Sequence, residues 1–281
     1  MSEDLGYGWQ SDLLDLPAYL KRVGYHDDLK PTAATLRALH RAHVTSIPFE
    51  NLEVILGRPV ELGVEALQAK LVDRARGGYC FEHTELFAAV LEKAGFEFTA
   101  LAGRVTMGAT KLLPSTHALL QVRIPGEPDL LCDVGFGAGP LEPLAFPAED
   151  GVTEVEQDGW GFRLQHGPRT WELHQRGAGG WLQRHTFTLN ETFHIDYELF
   201  NYFIATHPRS PFTTRPFVQK FSLDSHHVLD GTNLTTTRPD GTEEKRTLAP
   251  QHLPATLAET FGIVLDEPDG ARLIASVEER A

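Results

Sequence analysis

The sequence predicts an α+β fold, and three observations carry that prediction. Apolar residues recur at helical spacing through most of the first 95 residues, short alternating stretches take over from Phe96, and the two patterns mix after about residue 196. The expected divisions are therefore 1–95, 96–195 and 196–281. A chain of 281 residues is long enough to bury a sizeable core across them.

Taken in order, Asp15-Leu16-Pro17 reads as an N-cap followed by a first-turn proline, opening a helix through about Val23. A second helix starts after Pro31-Thr32 and runs through Leu36, Leu39 and His40 to His43. His40 and His43 stand three apart, a spacing that suits metal ligands, but no carboxylate or further histidine follows at metal-site spacing. They are expected as partly exposed helix residues. Residues 46–52, with Pro48, break the pattern as an extended segment. A third helix over 64–75 leads into Gly77-Gly78, a turn that admits close approach of another chain. Cys80, Thr84, Phe87, Val90, Leu91 and Ala94 then mark a helix whose apolar face turns inward, with Gly95 past its end.

From Phe96 the expected strands are 97–107, 117–124, 130–136, 161–166, 170–175 and 181–189, separated by glycine- and proline-rich turns. They suggest an antiparallel barrel or sandwich. Pro125-Gly126 is a turn dipeptide, and a hairpin centred at residue 125 sets His117 opposite Asp133. Pro128 fits a paired strand poorly and calls for a bulge, yet a slip of two residues keeps both side chains on one face. Asp133 sits in an apolar strand where a carboxylate needs a partner, and histidine is the natural one. Cys132 alternates to the opposite face as core filling. Beyond residue 195 the pattern gives a helix over 195–206, strands over 217–223, 234–238 and 244–248 with a turn at Pro239-Asp240-Gly241, and helices over 250–261 and 269–279. His226 and His227 are adjacent and face apart, so they do not make joint metal ligands. No metal is expected.

Composition excludes several classes. A formal net charge of −14 argues against non-specific binding to nucleic acid or anionic membranes, and an anionic ligand would need a local basic patch. No apolar run reaches the length of a membrane span, and the acidic start Met1-Ser2-Glu3-Asp4 lacks a signal-peptide core, so a cytoplasmic protein is expected. Two cysteines do not make a disulfide framework, which fits a compartment where a thiol stays free.

That leaves Cys80 in the first turn of a helix, where unpaired N–H groups and the helix dipole favour a thiolate. A lone cysteine on an apolar helix face is more commonly a small core hydrophobe. The nucleophile gains ground because His117 supplies a base and Asp133 a carboxylate to orient it, the parts of covalent acyl-transfer chemistry. Glu82 and Glu85, two and five residues on, turn away from the Cys80 face.

Arg76-Gly77-Gly78-Tyr79-Cys80-Phe81-Glu82, preceded by Ile47-Pro48-Phe49-Glu50-Asn51-Leu52 and followed by Thr116-His117 and Asp133-Val134-Gly135-Phe136-Gly137, closely resembles the arylamine N-acetyltransferases. The resemblance covers roughly residues 15–265, more loosely through Ala205-Thr206-His207-Pro208-Arg209-Ser210-Pro211-Phe212. It implies an N-terminal helical bundle, a central antiparallel β-barrel and a C-terminal α/β lid, with a cysteine-protease-like triad of Cys80, His117 and Asp133. It further implies ping-pong transfer of acetyl from acetyl-CoA to an arylamine or arylhydrazine. Phe49, Val105, Phe136 and Phe212 would line an apolar slot for the acceptor, and Thr116 and Gly137 would lie near CoA. One departure is visible: members usually carry Asn where this chain has Thr84, which keeps a hydroxyl. A thiol hydrolase or transglutaminase-like enzyme and an amide synthase would use the same three residues, and both monomer and dimer stay open.

Overall fold

The computed structural model describes residues 8–109, 111–148 and 151–279, so the acidic start Met1-Ser2-Glu3-Asp4 lies outside the described residues. Helix α1 (Leu16–Val23) begins where Asp15 accepts the Ala18 N–H, and ends at Gly24. Thr32 caps α2 (Ala33–Ser46) in the same way through the Thr35 N–H. The extended segment after it forms β1 (Phe49–Glu50) and leads into the short α3 (Leu52–Ile55). Next come α4 (Val64–Leu67), continued by a π-helical turn over Gln68–Asp73, and α5 (Cys80–Lys93). The expected inward stripe on α5 proves too narrow a description: every residue from Cys80 to Leu91 is buried. His40 and His43 are likewise fully buried rather than partly exposed. Each has hydrogen-bond partners inside the fold, described below, that spacing alone does not show.

The middle of the chain supplies β2 (Glu97–Val105), β3 (His117–Arg123), β4 (Leu130–Cys132), β5 (Leu144–Ala145), β6 (Val152–Gln157), β7 (Trp160–His166), β8 (Trp171–Gly177) and β9 (Gly180–Glu191). They pair antiparallel in the order β5-β4-β3-β2-β9-β8-β7-β6, an incompletely closed barrel. Gln157, at the end of β6, clasps the chain ahead of β5: its amide oxygen accepts from Leu141 N and Glu142 N, and its Nε2 donates to Glu142 O. α5 packs against β2 and β3.

The β3–β4 hairpin differs from expectation by one step. Leu120 faces Cys132 and Gln121 faces Leu131, so it is centred at residue 126, not 125. The turn itself lies over Ile124–Glu127, with Glu127 N donating to Ile124 O and Gly126 at φ 84. The residue left over falls in the stretch containing Pro128, which has no N–H to give a ladder. Side-chain parity is unchanged, so His117 and Asp133 keep a common face. Asp133 itself lies one residue beyond β4.

The last third begins with α6 (His194–Thr206), followed by β10 (Phe217–Phe221), β11 (His226–Asp230), β12 (Asn233–Thr237), β13 (Glu243–Thr247), a helical run over 250–261 around α7 (Leu253–Thr256), and α8 (Glu267–Glu278). The second sheet runs β1-β10-β11-β12-β13. Strand β1 thus leaves the N-terminal helices to pair with β10, and Leu52, Ile55 and Leu56 join the small core of Val218, Leu229, Leu257 and Phe261. The architecture is the α+β one expected: helices, an antiparallel barrel and a C-terminal α/β lid. Among the described residues no helix is long and apolar enough to cross a membrane.

Candidate active site

Cys80 opens α5, and the turn before it is fixed from two sides. On one side Gly77 and Gly78 lie so close to their neighbours that a Cβ on Gly77 would come within 2.0 Å of Pro48 O, and one on Gly78 within 2.8 Å of Glu82. Gly78 N donates to Pro48 O and Glu50 N to Gly78 O. On the other side stands a buried charged cluster: Lys70 Nζ reaches Glu82 Oε1 at 2.6 Å, Arg76 Nε donates to Glu50 Oε1 at 3.0 Å, and Arg76 also faces Glu53 at 3.3 Å. The second oxygens of Glu82 and Glu50 each take a backbone N–H, Tyr79 N on Glu82 and Leu52 N on Glu50. Buried charges in such a cluster offset one another, and removing one would strand its partner. Glu82 is therefore turned from the sulfur, as its spacing predicts.

A chain of neutral side chains completes the support. His83 Nε2 contacts Pro48 O at 3.2 Å, and a carbonyl only accepts, so this nitrogen carries the proton. Burial depresses the His83 pKa to about 4, which leaves Nδ1 as an acceptor for His43 Nε2 at 2.9 Å. His43, held well below its ordinary value by burial and by His83, then accepts from Tyr19 OH through Nδ1 at 2.9 Å. Every proton in Tyr19→His43→His83→Pro48 is thereby assigned, and α1 and α2 are tied to the turn that presents Cys80.

His117, the first residue of β3, places Nε2 2.9 Å from Asp133 Oδ1, while Cys80 lies near enough to the same imidazole to help raise its pKa. Cys80 Sγ also lies 3.5 Å from Thr116 O. Gly135 presses the loop after Asp133 onto the start of α5, because a Cβ there would stand 2.7 Å from Cys80 Cα. Thr84 donates to Ala118 O at 3.2 Å, so the hydroxyl in place of the family's usual Asn binds the strand that carries His117.

Two further histidines converge on Asp133, and sequence reasoning missed both roles. His40 Nε2 accepts the Asp133 backbone N–H at 3.2 Å while its Nδ1 donates to Leu141 O, a neutral tautomer in keeping with a pKa that burial lowers to about 4. His185, on β9, sets Nε2 2.8 Å from Asp133 Oδ2. Burial alone would raise the Asp133 carboxyl, but the charge and hydrogen bond of His117, with the bond from His185, hold it well below the usual range. Burial likewise opposes charging His117, and Asp133 overrides it, lifting that imidazole to about 10. His185 gets too little from the same carboxylate to offset burial and falls to about 4. The ligating atoms of His117, Asp133 and His185 lie within 4.8 Å of one another, but the 2.8–2.9 Å contacts are hydrogen bonds that use the nitrogens a metal would need. His185 carries no sequence signal beyond an even step from Phe187 on an alternating strand.

The residues expected to line an acceptor slot fall in two adjoining groups. Phe49 and Phe212 meet edge to face at 5.7 Å, and Phe212 lies 5.5 Å from Tyr79, the neighbour of Cys80. Phe136 stands edge-on to His117 at 5.1 Å with Arg184 over its ring at 4.4 Å, and Val105 pairs with His185. Gly137, at φ 84, joins the groups: a Cβ there would meet Phe49 and Gln219 within 3 Å. Beside Thr116 a cavity of about 470 Å³ is lined by Arg104, Ser115, Thr116, Phe200, Phe203 and His207. A larger one, about 660 Å³, lies between residues 59–66 and α6 and contains none of Cys80, His117 and Asp133.

Comparison with known proteins adds to the geometry. A family model described as N-acetyltransferase matches residues 32–269. The chain is 38% identical over 272 residues to the arylamine N-acetyltransferase of Mycolicibacterium smegmatis, covering 95% of this chain and 98% of that protein. Among solved structures, Nocardia farcinica arylamine N-acetyltransferase superposes with a TM-score of 0.93 at 49% identity, over 98% of this chain and 99% of that one. Mycobacterium marinum arylamine N-acetyltransferase in complex with CoA gives 0.87 at 35% identity, over 95% and 100%.

Proposed function

The chain belongs to the arylamine N-acetyltransferase family of acyltransferases, and we propose that it moves acetyl from acetyl-CoA to the nitrogen of arylamines or arylhydrazines through a thioester on Cys80. The observation that carries this reading is the convergence of Cys80, His117 and Asp133 from a helix start, a strand start and the end of the next strand, with Cys80 Sγ 3.5 Å from the carbonyl just before His117. In this reading residues 1–95 supply the nucleophile, 96–195 supply the base and its carboxylate, and 196–281 close over them.

In the first half-reaction the Cys80 sulfur attacks the thioester carbonyl of acetyl-CoA. The new bond from carbon to Cys80 forms, the bond from carbon to the CoA sulfur breaks, and CoA leaves as the thiol with the proton of the His117 imidazolium. In the second the amine nitrogen attacks acetyl-Cys80. The amide bond forms, the bond to Cys80 breaks, and the amine proton passes to His117, restoring the starting pair. Asp133 holds the imidazole in the tautomer and orientation both steps require. Backbone N–H groups at the start of α5 are the proposed oxyanion donors. Phe49, Val105, Phe136 and Phe212 offer an aromatic acceptor an apolar surface beside His117, with Thr116 and Gly137 nearest the acyl donor.

Initial rates measured while both substrates vary test the scheme. A double-displacement enzyme gives parallel double-reciprocal lines, and intersecting lines would exclude a free acetyl-enzyme. Release of acetate in preference to arylamide would favour the thiol-hydrolase reading.

A further inference from the structure

A carboxylate that orients one catalytic imidazole has a second oxygen to satisfy, and in this fold that oxygen faces another imidazole. Asp133 Oδ1 takes His117 Nε2 at 2.9 Å and Oδ2 takes His185 Nε2 at 2.8 Å, with the two rings 4.9 Å apart. All three side chains are buried, His185 completely. Among the described residues the imidazole of His185 has no other protein hydrogen-bond partner, its Nδ1 being unpaired. A packing role on β9 would be met by any apolar side chain of similar size, without burying a polar nitrogen. The bond to Asp133 is what the histidine adds.

We propose that His185 is a positioning residue for acetyl transfer, a neutral Nε2–H donor that fixes the Asp133 carboxylate and lowers the basicity Asp133 confers on His117. The inference rests on the acetyl-Cys80 reading above. A carboxylate with one donor withdrawn carries more charge to its remaining partner, so loss of His185 raises the His117 pKa. That matters most in the second half-reaction, where His117 must be neutral to take the amine proton. The groups that face this site are His117 from β3, Cys80 from α5, His40 from α2 through the Asp133 N–H, Cys132 from β4 and Arg184 from β9 itself. Of these only His117 shares the carboxylate oxygens with His185, and burial together with His117 and Arg184 keeps His185 uncharged.

The test compares wild type, H185L and H185Q, whose amide Nε2 can donate where the imidazole did. The readout is kcat/KM for an arylamine such as 4-aminobenzoate against pH, at saturating acetyl-CoA. H185L should move the acidic limb upward by about one pH unit, a roughly tenfold loss at pH 7 that narrows only as pH approaches the raised His117 value of about 10, and H185Q should restore the wild-type limb. A limb that stays in place while the rate falls at all pH values, or an H185Q profile no better than H185L, overturns the proposal and leaves the acetyl-Cys80 reading standing. Wild type that forms no acetyl-enzyme overturns both. If H185L does not fold, ¹⁵N-histidine spectra of wild type decide: His185 should stay neutral with Nε2 protonated from pH 5 to 9, and a ring that gains a second proton in that range contradicts the role.

Discussion

Gly135→Ala is the substitution that most directly probes how the helix start and the hairpin end are held together. Gly135 has no positive φ to protect, so the effect is steric. Its added Cβ would stand 2.7 Å from Cys80 Cα, 2.9 Å from Cys80 O and 3.1 Å from Cys80 Cβ, contacts with backbone that cannot swing aside. The loop must back away by about 0.7 Å to bring 2.7 Å up to the roughly 3.4 Å of ordinary contact. Asp133 lies two residues earlier on that loop, so the movement shifts the carboxylate that orients His117 relative to Cys80. A misplacement of about 1 Å costs on the order of 10²-fold in rate, and overpacking costs about 1–3 kcal/mol of stability. Gly95→Ala is the matched control, because Gly95 sits at φ 79 with nothing within 4 Å of its added Cβ. That strain costs about 1 kcal/mol without touching the site. Urea melts and steady-state acetylation of both variants should show comparable stability losses but a tenfold or greater rate loss in Gly135→Ala alone. Equal rates would refute the packing argument.

Cys80→Ser should retain the fold and lose acetyl transfer, checked by circular dichroism and CoA release. Asp133→Asn should lower kcat by about 10³–10⁴-fold through the wrong imidazole tautomer, whereas Thr84→Asn, which alters only a bond to Ala118 O, should stay within about tenfold of wild type. Iodoacetamide should label Cys80 before Cys132, whose thiol is buried and pushed well above its ordinary value, and prior acetyl-CoA should block only the Cys80 label. Stability should fall as pH drops from about 6.5 to 4, because burial depresses His40, His43, His83 and His185 while the unfolded chain binds their protons below about 6.5. His117 acts oppositely: its raised pKa stabilises the fold below about 6.5, and that part is lost as pH climbs through about 10. A urea midpoint independent of pH over these windows would contradict the assignments.

Much of this was legible in the sequence because local rules dominate there. The caps at Asp15 and Thr32, the start of α5 at Cys80 and the parity of His117 and Asp133 all follow from short-range chemistry. The strands β5, β6 and β11 were not foreseen. The first has two residues, Val152–Gln157 alternates only weakly against water, and His226–Asp230 does not alternate at all. His40, His43 and His185 eluded the reading for a different reason. Their partners are Asp133 and Leu141, Tyr19 and His83, and Asp133, distant in the chain and brought close only by the packing of α2, α5 and β9 around one carboxylate and one turn. The charge balance of Glu50, Lys70, Arg76 and Glu82 is likewise a product of that packing.

The central claim is that acetyl rests on Cys80 between the two half-reactions, and intact-protein mass spectrometry tests it without a kinetic model. Mixing the protein with acetyl-CoA alone should add the mass of a single acetyl group, mapped to Cys80 by peptide analysis and absent in Cys80→Ser. Adding an arylamine should remove it and yield one equivalent of arylamide. An unmodified protein that still forms arylamide when both substrates are present, or an acetyl group lodged on any other residue, would contradict the account.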